Sequence, residues 1–262
     1  MPELSNEWIY WSLMNGLPAV FATLAFLLVP AFDRWFAWDV LDRRSGITLG
    51  TGFLMRAVMF WFIINAASFG QIRWLLAGNT VYAVILLGAT MVHGNLFKWR
   101  RPIAVIWLYL YIEEPVWMLT LVPEAQAAVA ASGVTNLAGD PVNTFLVAVL
   151  WIEALVMLVA GISLYLPNRV ESIWPWKPDT VSGIVISGFP LMWVGSSISL
   201  ALSPSWAEAV DGVLVNIIWL AAVFLSLLIW NKRFDLSKPV TRVFAGVNLA
   251  LIVLLVIGYV IQ

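Results

Sequence analysis

Four ionisable side chains, Arg56, Glu113, Glu114 and Glu153, each interrupt a long apolar run. A charged group at the centre of a bilayer costs about 2.5–3.5 kcal/mol on insertion scales, so all four are expected to face a protein interior or a wet cavity. Arginine stays protonated under ordinary conditions and neutralises one carboxylate. A buried carboxyl left without a counter-charge takes up a proton. The group therefore reads as a candidate catalytic site with a proton to donate, the starting point of general acid catalysis. The sequence leaves open which acid meets Arg56. With Glu113 or Glu153 in that role, Glu114 is expected to hold the proton.

The run Glu113-Glu114-Pro115 sharpens this reading. Adjacent helical residues point about 100° apart, so one acid can meet Arg56 while the other lines a neighbouring space. Pro115 has no N–H, which leaves the carbonyl of Tyr111 without its helical partner, and Pro190 does the same to Ile186. Free carbonyls at membrane depth are tolerated where they line a cavity. On a helical wheel Tyr109 and Trp117 share a face with Glu113, while Trp107, Tyr111 and Met118 flank Glu114. With Trp151 and Trp193 these aromatics form the candidate ligand-binding set. Aromatic walls suit a flat lipophilic molecule, or a carbocation held by cation–π attraction. The plainer alternatives are an Arg–Glu pair that pins two helices, spare acids acting as hydrogen-bonding glue, and aromatics that only pack.

Other chemistries are narrowed by what the chain lacks. Its one histidine, His93, is too few for bis-imidazole haem or for the usual zinc and copper sites, and no metal is expected. His93 is a candidate ligand for a single pigment or a hydrogen-bonding partner for a quinone, set against a packing histidine. No mid-membrane lysine exists for a retinal Schiff base, and no Gly-rich phosphate loop is present. The sequence implies no particular cofactor. The small residues Gly183, Ser187, Gly188, Gly195, Ser196, Ser197 and Ser199 read as a helix-packing face rather than a hydrolytic site.

The elements that position these residues follow from composition. The chain has 262 residues, 62% hydrophobic and 11% charged, with mean hydropathy +0.91. A soluble domain keeps about a quarter of its residues charged. The fold class is therefore all-α, a polytopic integral membrane protein forming one domain over 1–262. A helix needs about 20 apolar residues to cross roughly 30 Å of hydrocarbon, and eight stretches qualify: 8–31, 48–69, 75–97, 103–122, 144–166, 181–202, 210–230 and 241–261. The Ala-rich loop 123–143 is expected to hold a short surface helix. Trp8, Trp35, Trp38, Trp74, Trp99, Trp174, Trp176, Trp206 and Trp230, at or beyond the span ends, read as interfacial anchors.

Basic residues set the orientation. Alternate loops hold Arg34, Arg43 and Arg44, then Lys98, Arg100 and Arg101, then Arg169 and Lys177, then Lys232, Arg233, Lys238 and Arg242. The intervening loops hold only Arg73. Cytoplasmic loops carry the excess of Lys and Arg, which puts both termini on the non-cytoplasmic side and requires an even number of spans. The first seven residues carry no Lys or Arg, so the first span reads as a retained helix rather than a cleaved signal. The expected location is the cytoplasmic membrane of a bacterium or archaeon. With 14 Lys+Arg against 15 Asp+Glu, no basic surface for nucleic acid exists. The absence of cysteine excludes disulfides and thiolate metal sites.

Three function classes remain. The first is a metal-independent cyclase or isomerase using carboxyl acid–base chemistry on a lipophilic, isoprenoid-like substrate, which needs only acids and a dry aromatic pocket. The paired acids resemble those of membrane-bound lycopene cyclases, but Pro115 follows the pair where those enzymes have proline before it. The resemblance is therefore not carried over to activity. The second class is a proton-coupled small-molecule transporter, for which no inverted repeat is visible. The third is a quinone- or pigment-binding membrane subunit of a larger redox complex. Expected partners are the bilayer, a lipophilic small molecule and, on the third reading, other membrane subunits or further copies of the chain.

Overall fold

The computed structural model describes residues 5–165 and 174–262. Among them are eight helices long and apolar enough to cross a membrane: α1 (Asn6–Leu28), α2 (Arg43–Asn65), α3 (Phe69–Val92), α4 (Pro102–Ser132), α5 (Thr144–Ser163), α6 (Thr180–Ala201), α7 (Trp206–Ile229) and α8 (Pro239–Val260). No strand occurs among the described residues. The expected end of the fifth span at residue 166, and Arg169, lie outside them.

Capping side chains move several helix starts ahead of the apolar runs. Asp42 accepts a hydrogen bond from the Arg44 N–H at 2.8 Å, so α2 begins five residues before the hydropathy rises. Gln71 Oε1 accepts from the backbone N–H groups of Ala67 at 2.8 Å and Ser68 at 3.2 Å, which fixes the start of α3 at Phe69. Asn143 Oδ1 and Asp179 Oδ1 cap α5 and α6 by accepting from the N–H groups of Leu146 at 2.7 Å and Ser182 at 3.0 Å. These caps are polar and sit outside the hydrophobic stretch they start. The loop expected over 123–143 is shorter than it reads, because α4 runs on through Pro115 and Pro123 to Ser132. Alanine is the strongest helix former, and the Ala-rich segment extends the span instead of making a separate helix. Gly133, at φ 68°, then stops it in the left-handed conformation.

The helices pack as α1 along α2, α3 along α6, and α5 along the other side of α6, while α7 touches α2 and α3 and is closed off by α8. Helix α4 lies along α3 and meets α1 only lightly. The α3–α6 contact rests on small residues. A methyl group on Gly78 would overlap the Met192 carbonyl and the Ser196 hydroxyl, and a Cβ on Gly195 would come 3.0 Å from the Gly78 Cα. Close backbone approach of this kind is how helices gain dispersion energy where lipid removes the hydrophobic drive.

Five of the tryptophans expected at the interface are instead buried: Trp8, Trp38, Trp74, Trp174 and Trp176. An indole can be buried when its N–H finds an acceptor. Trp38 donates to Ser182 Oγ at 2.9 Å, Trp174 to Ser163 Oγ at 2.7 Å and Trp176 to Ser45 Oγ at 3.0 Å. Trp38 lies on a connection that turns inward after the short 3-10 helix Pro30–Arg34, burying Phe36, Ala37, Trp38 and Val40. The Lys98 N–H donates to the Ala37 carbonyl at 2.8 Å, tying this connection to the one after α3.

The described contacts sort the connections into two ends. Those after α1, α5 and α7 meet through Leu41 with Asp179 and through Trp176 with Phe234. At the other end Arg73 and Glu208 form an ion pair, and Glu208 also accepts from the Leu137 N–H at 2.7 Å. The expected orientation has a direct check. A reporter active only in the cytoplasm is expected to work when inserted near Ser237 and to be silent when fused after Gln262. The opposite pattern reverses the topology.

Candidate functional site

Helix α2 carries Arg56 thirteen residues beyond its start, roughly 20 Å along the axis. There its Nη2 donates to Glu114 Oε1 at 2.7 Å and its Nη1 to Asn79 Oδ1 at 3.2 Å. Asn79 Nδ2 donates to the same Glu114 oxygen at 2.7 Å. The three side chains come from α2, α3 and α4, and all are buried. The guanidinium lies over the Tyr82 ring, 4.5 Å from its centroid, and 5.2 Å from that of Phe60. Tyr82 and Tyr111 share a hydroxyl–hydroxyl bond of 3.2 Å above it. Glu114 Oε2 has no hydrogen-bond partner among the described residues.

The partner of Arg56, left open by the sequence, is thus Glu114, and the expectation that Glu114 holds a proton while Glu113 or Glu153 meets Arg56 does not hold. The offset along α4 is the reason. Glu114 shares its buried face with Trp107, Tyr111 and Met118 and looks toward α2 and α3. Glu113 is turned toward α1, where Asn15 Nδ2 donates to its Oε2 at 3.4 Å. Glu153 is held elsewhere, between α5, α6 and α7. Asn216 Nδ2 lies 2.6 Å from each of its oxygens and Ser197 Oγ donates at 3.0 Å. No cation contacts Glu153 among the described residues, and no described hydrogen bond joins it to the Arg56 group. Similar depth did not mean one site.

A cavity of about 800 Å³ opens beside Arg56, between α1, the connection following it, and α4. Its inner end is formed by Arg56, Asn15 and Tyr111, and its other end by Arg34, Trp35 and Arg101. Between them the walls are apolar. Leu17, Phe21 and Ile106 line it yet are 66%, 59% and 50% exposed, so it opens sideways, where lipid would lie. A second, apolar cavity of about 400 Å³ lies among α5, α6, α7 and α8 and includes Pro190 and Trp219.

The candidate ligand-binding residues divide between these surroundings. Trp107 and Tyr111 line the larger cavity, and Trp107 donates to Thr90 Oγ1 at 2.9 Å. Trp193 is buried in a stack between Trp74 and Trp219, at 6.2 and 5.8 Å between centroids, and donates to Met55 Sδ. Tyr109 and Trp151 are about half exposed and line neither cavity. Trp117 packs against Tyr10 on the flank of α4. His93 stands at the C-terminal cap of α3, beside neither cavity.

Sequence reasoning missed Asn15, Asn79 and Asn216, neutral groups that hold the acids, and read Ser197, which holds Glu153, only as part of a packing face. A signal was available, since an asparagine within an apolar span must find a partner in the bundle. Chemically, the arrangement is an apolar space closed at one end by a fixed cation and a carboxamide, with two carboxyls just behind them. No significant match is found to any protein-family model, curated protein or solved structure.

Proposed function

We propose that the chain is an integral membrane enzyme, a metal-independent cyclase or isomerase that applies carboxyl acid–base chemistry to a lipophilic, isoprenoid-like substrate drawn from the bilayer. The observation that carries this reading is the lateral cavity ending on Arg56 and on Asn15, the residue that bonds Glu113. A substrate enters between α1 and α4 and places its reactive double bond or epoxide at the inner end. Glu113, which stands behind Asn15 and has no cation in contact among the described residues, gives its proton to that group. The positive charge formed lies near the rings of Trp107 and Tyr111 and the carboxylate of Glu114, which is paired with Arg56. Loss of a proton from the neighbouring carbon back to the Glu113 carboxylate closes the cycle, so no proton or electron is gained overall. The low polarity of the cavity keeps water from capturing the cation.

Neither alternative has an observation of this weight behind it. The redox-subunit reading leaned on His93, which lines neither cavity. Mass spectrometry of lipophilic molecules extracted with the purified protein tests the proposal. An isoprenoid-like molecule is the expected result. A quinone or pigment in its place overturns the enzyme reading in favour of a complex subunit.

A further inference from the structure

The two ends of the lateral cavity differ in charge. At the end formed by the connections, Arg101 donates to the Phe36 carbonyl at 2.8 Å and to Asp39 Oδ1 at 2.7 Å, and Lys98 lies 3.3 Å from Asp39 Oδ2. One carboxylate therefore serves two cations, and the Arg101 hydrogen bond holds it below the usual carboxylate range. Arg34, which lines the same end, has no carboxylate partner among the described residues. Its neighbour Asp33 is taken by Arg43 at 2.9 Å. Among the described residues, Arg34, Lys98 and Arg101 against Asp39 leave a surplus of two positive charges beside an apolar space. Pro102 and Tyr111, both in the lining, mark its ends on α4 and stand nine residues, or about 14 Å, apart along the helix.

We infer that the cavity takes a phosphorylated, single-chain amphiphile, with its phosphate at Arg34 and Arg101 and its chain reaching in toward Arg56. A phosphate monoester carries roughly −1.5 to −2 charges near neutral pH, which matches the surplus at the rim. Arginine is suited to it because the guanidinium fork bonds two phosphate oxygens at once. Arg101 is already engaged, so the unpartnered Arg34 supplies most of the new contact. A carboxylate or alcohol head would leave part of the charge unmet. The inference rests on the cavity being the substrate site, as proposed above, and adds the class of head group. It does not depend on which acid moves the proton.

The test is equilibrium binding of radiolabelled decyl phosphate to the purified full-length protein in nanodiscs. Decyl phosphate is expected to bind at least about 10-fold more tightly than decanol, and Arg34→Gln to lose about 10-fold, as removal of a charge-assisted bond implies. Arg34 makes no side-chain hydrogen bond or ion pair among the described residues, so this variant is expected to keep its unfolding temperature. Ile106→Trp, which fills the cavity from its open side, should also abolish binding. Inorganic phosphate alone should not compete. Equal binding of decanol, or unchanged binding by Arg34→Gln, overturns the assignment. So does displacement by phosphatidylglycerol at equal mole fraction, which would make the rim an ordinary lipid contact. If decyl phosphate fails to bind while an isoprenoid substrate still turns over, the head-group assignment falls and the acid–base reading stands. If decyl phosphate binds as expected while no isoprenoid is turned over, the head-group assignment stands and the acid–base reading falls.

Discussion

Replacing Glu113 with glutamine is expected to lower turnover by about 10²–10⁴-fold, the usual contribution of a general acid, while leaving the fold and any co-purifying lipophile in place. Glutamine has nearly the shape of a neutral carboxyl and can still accept the hydrogen bond from Asn15, so the structural part of the role is preserved. Only the transferable proton is lost. Glu114 could not be tested so cleanly, because its oxygen is shared by Arg56 and Asn79 and its neutralisation strands a buried cation. Infrared difference spectra supply a readout independent of substrate: a component of the protonated-carboxyl band of the parent protein that is lost in Glu113→Gln and kept in Glu153→Gln, since Glu153 is also buried without a cation contact among the described residues. If the band is unchanged in the variant and turnover is undiminished, Glu113 is hydrogen-bonding glue and the proton donor must be sought elsewhere.

The second large effect is on stability. Arg56→Leu leaves Glu114 buried without its counter-charge, and breaking a buried pair from one side costs about 3–5 kcal/mol. A sharp fall in yield and in thermal unfolding temperature is therefore expected. Adding Glu114→Gln should recover part of the loss, because the stranded charge is then removed. Adding Glu113→Gln or Glu153→Gln should recover none, since neither touches Arg56. Recovery through Glu153, or an Arg56→Leu protein as stable as its parent, would contradict the observed pairing. The double-mutant comparison matters because the single change also removes the guanidinium from over Tyr82 and Phe60.

The eight helices were legible because each leaves a long apolar trace, and Arg56 and the three acids were legible because charge in such a trace is costly. What the sequence could not supply was lateral arrangement. Glu153 and Glu114 have similar depth, but α5 lies against α6 and α8 while α4 lies against α3, so the two acids stay in different clusters. Depth is a one-dimensional quantity, and helix neighbours are chosen by side-chain fit, as at Gly78 and Gly195. Trp38 was misplaced for a related reason: interfacial and buried indoles have the same composition around them, and only the acceptor, Ser182, separated by 144 residues, tells them apart. The Arg56–Glu114 pair shows the opposite limit. Helical spacing correctly separated the faces of Glu113 and Glu114, but nothing along the chain says which face looks at α2.

For the lipophilic substrate proposed above, the gap between α1 and α4 changes what concentration means. A molecule that arrives past Leu17, Phe21 and Ile106 comes from the hydrocarbon phase, where it is counted per lipid and not per litre. Occupancy is then governed by a two-dimensional mole fraction. Detergent micelles dilute that fraction even when the total amounts of protein and ligand are fixed, so an apparent dissociation constant in molar units would drift with detergent load. On the proposed enzymatic reading, the same geometry makes product release a partition event: a product more soluble in lipid than in water leaves by the route it came, and water-soluble traps added outside would collect little of it.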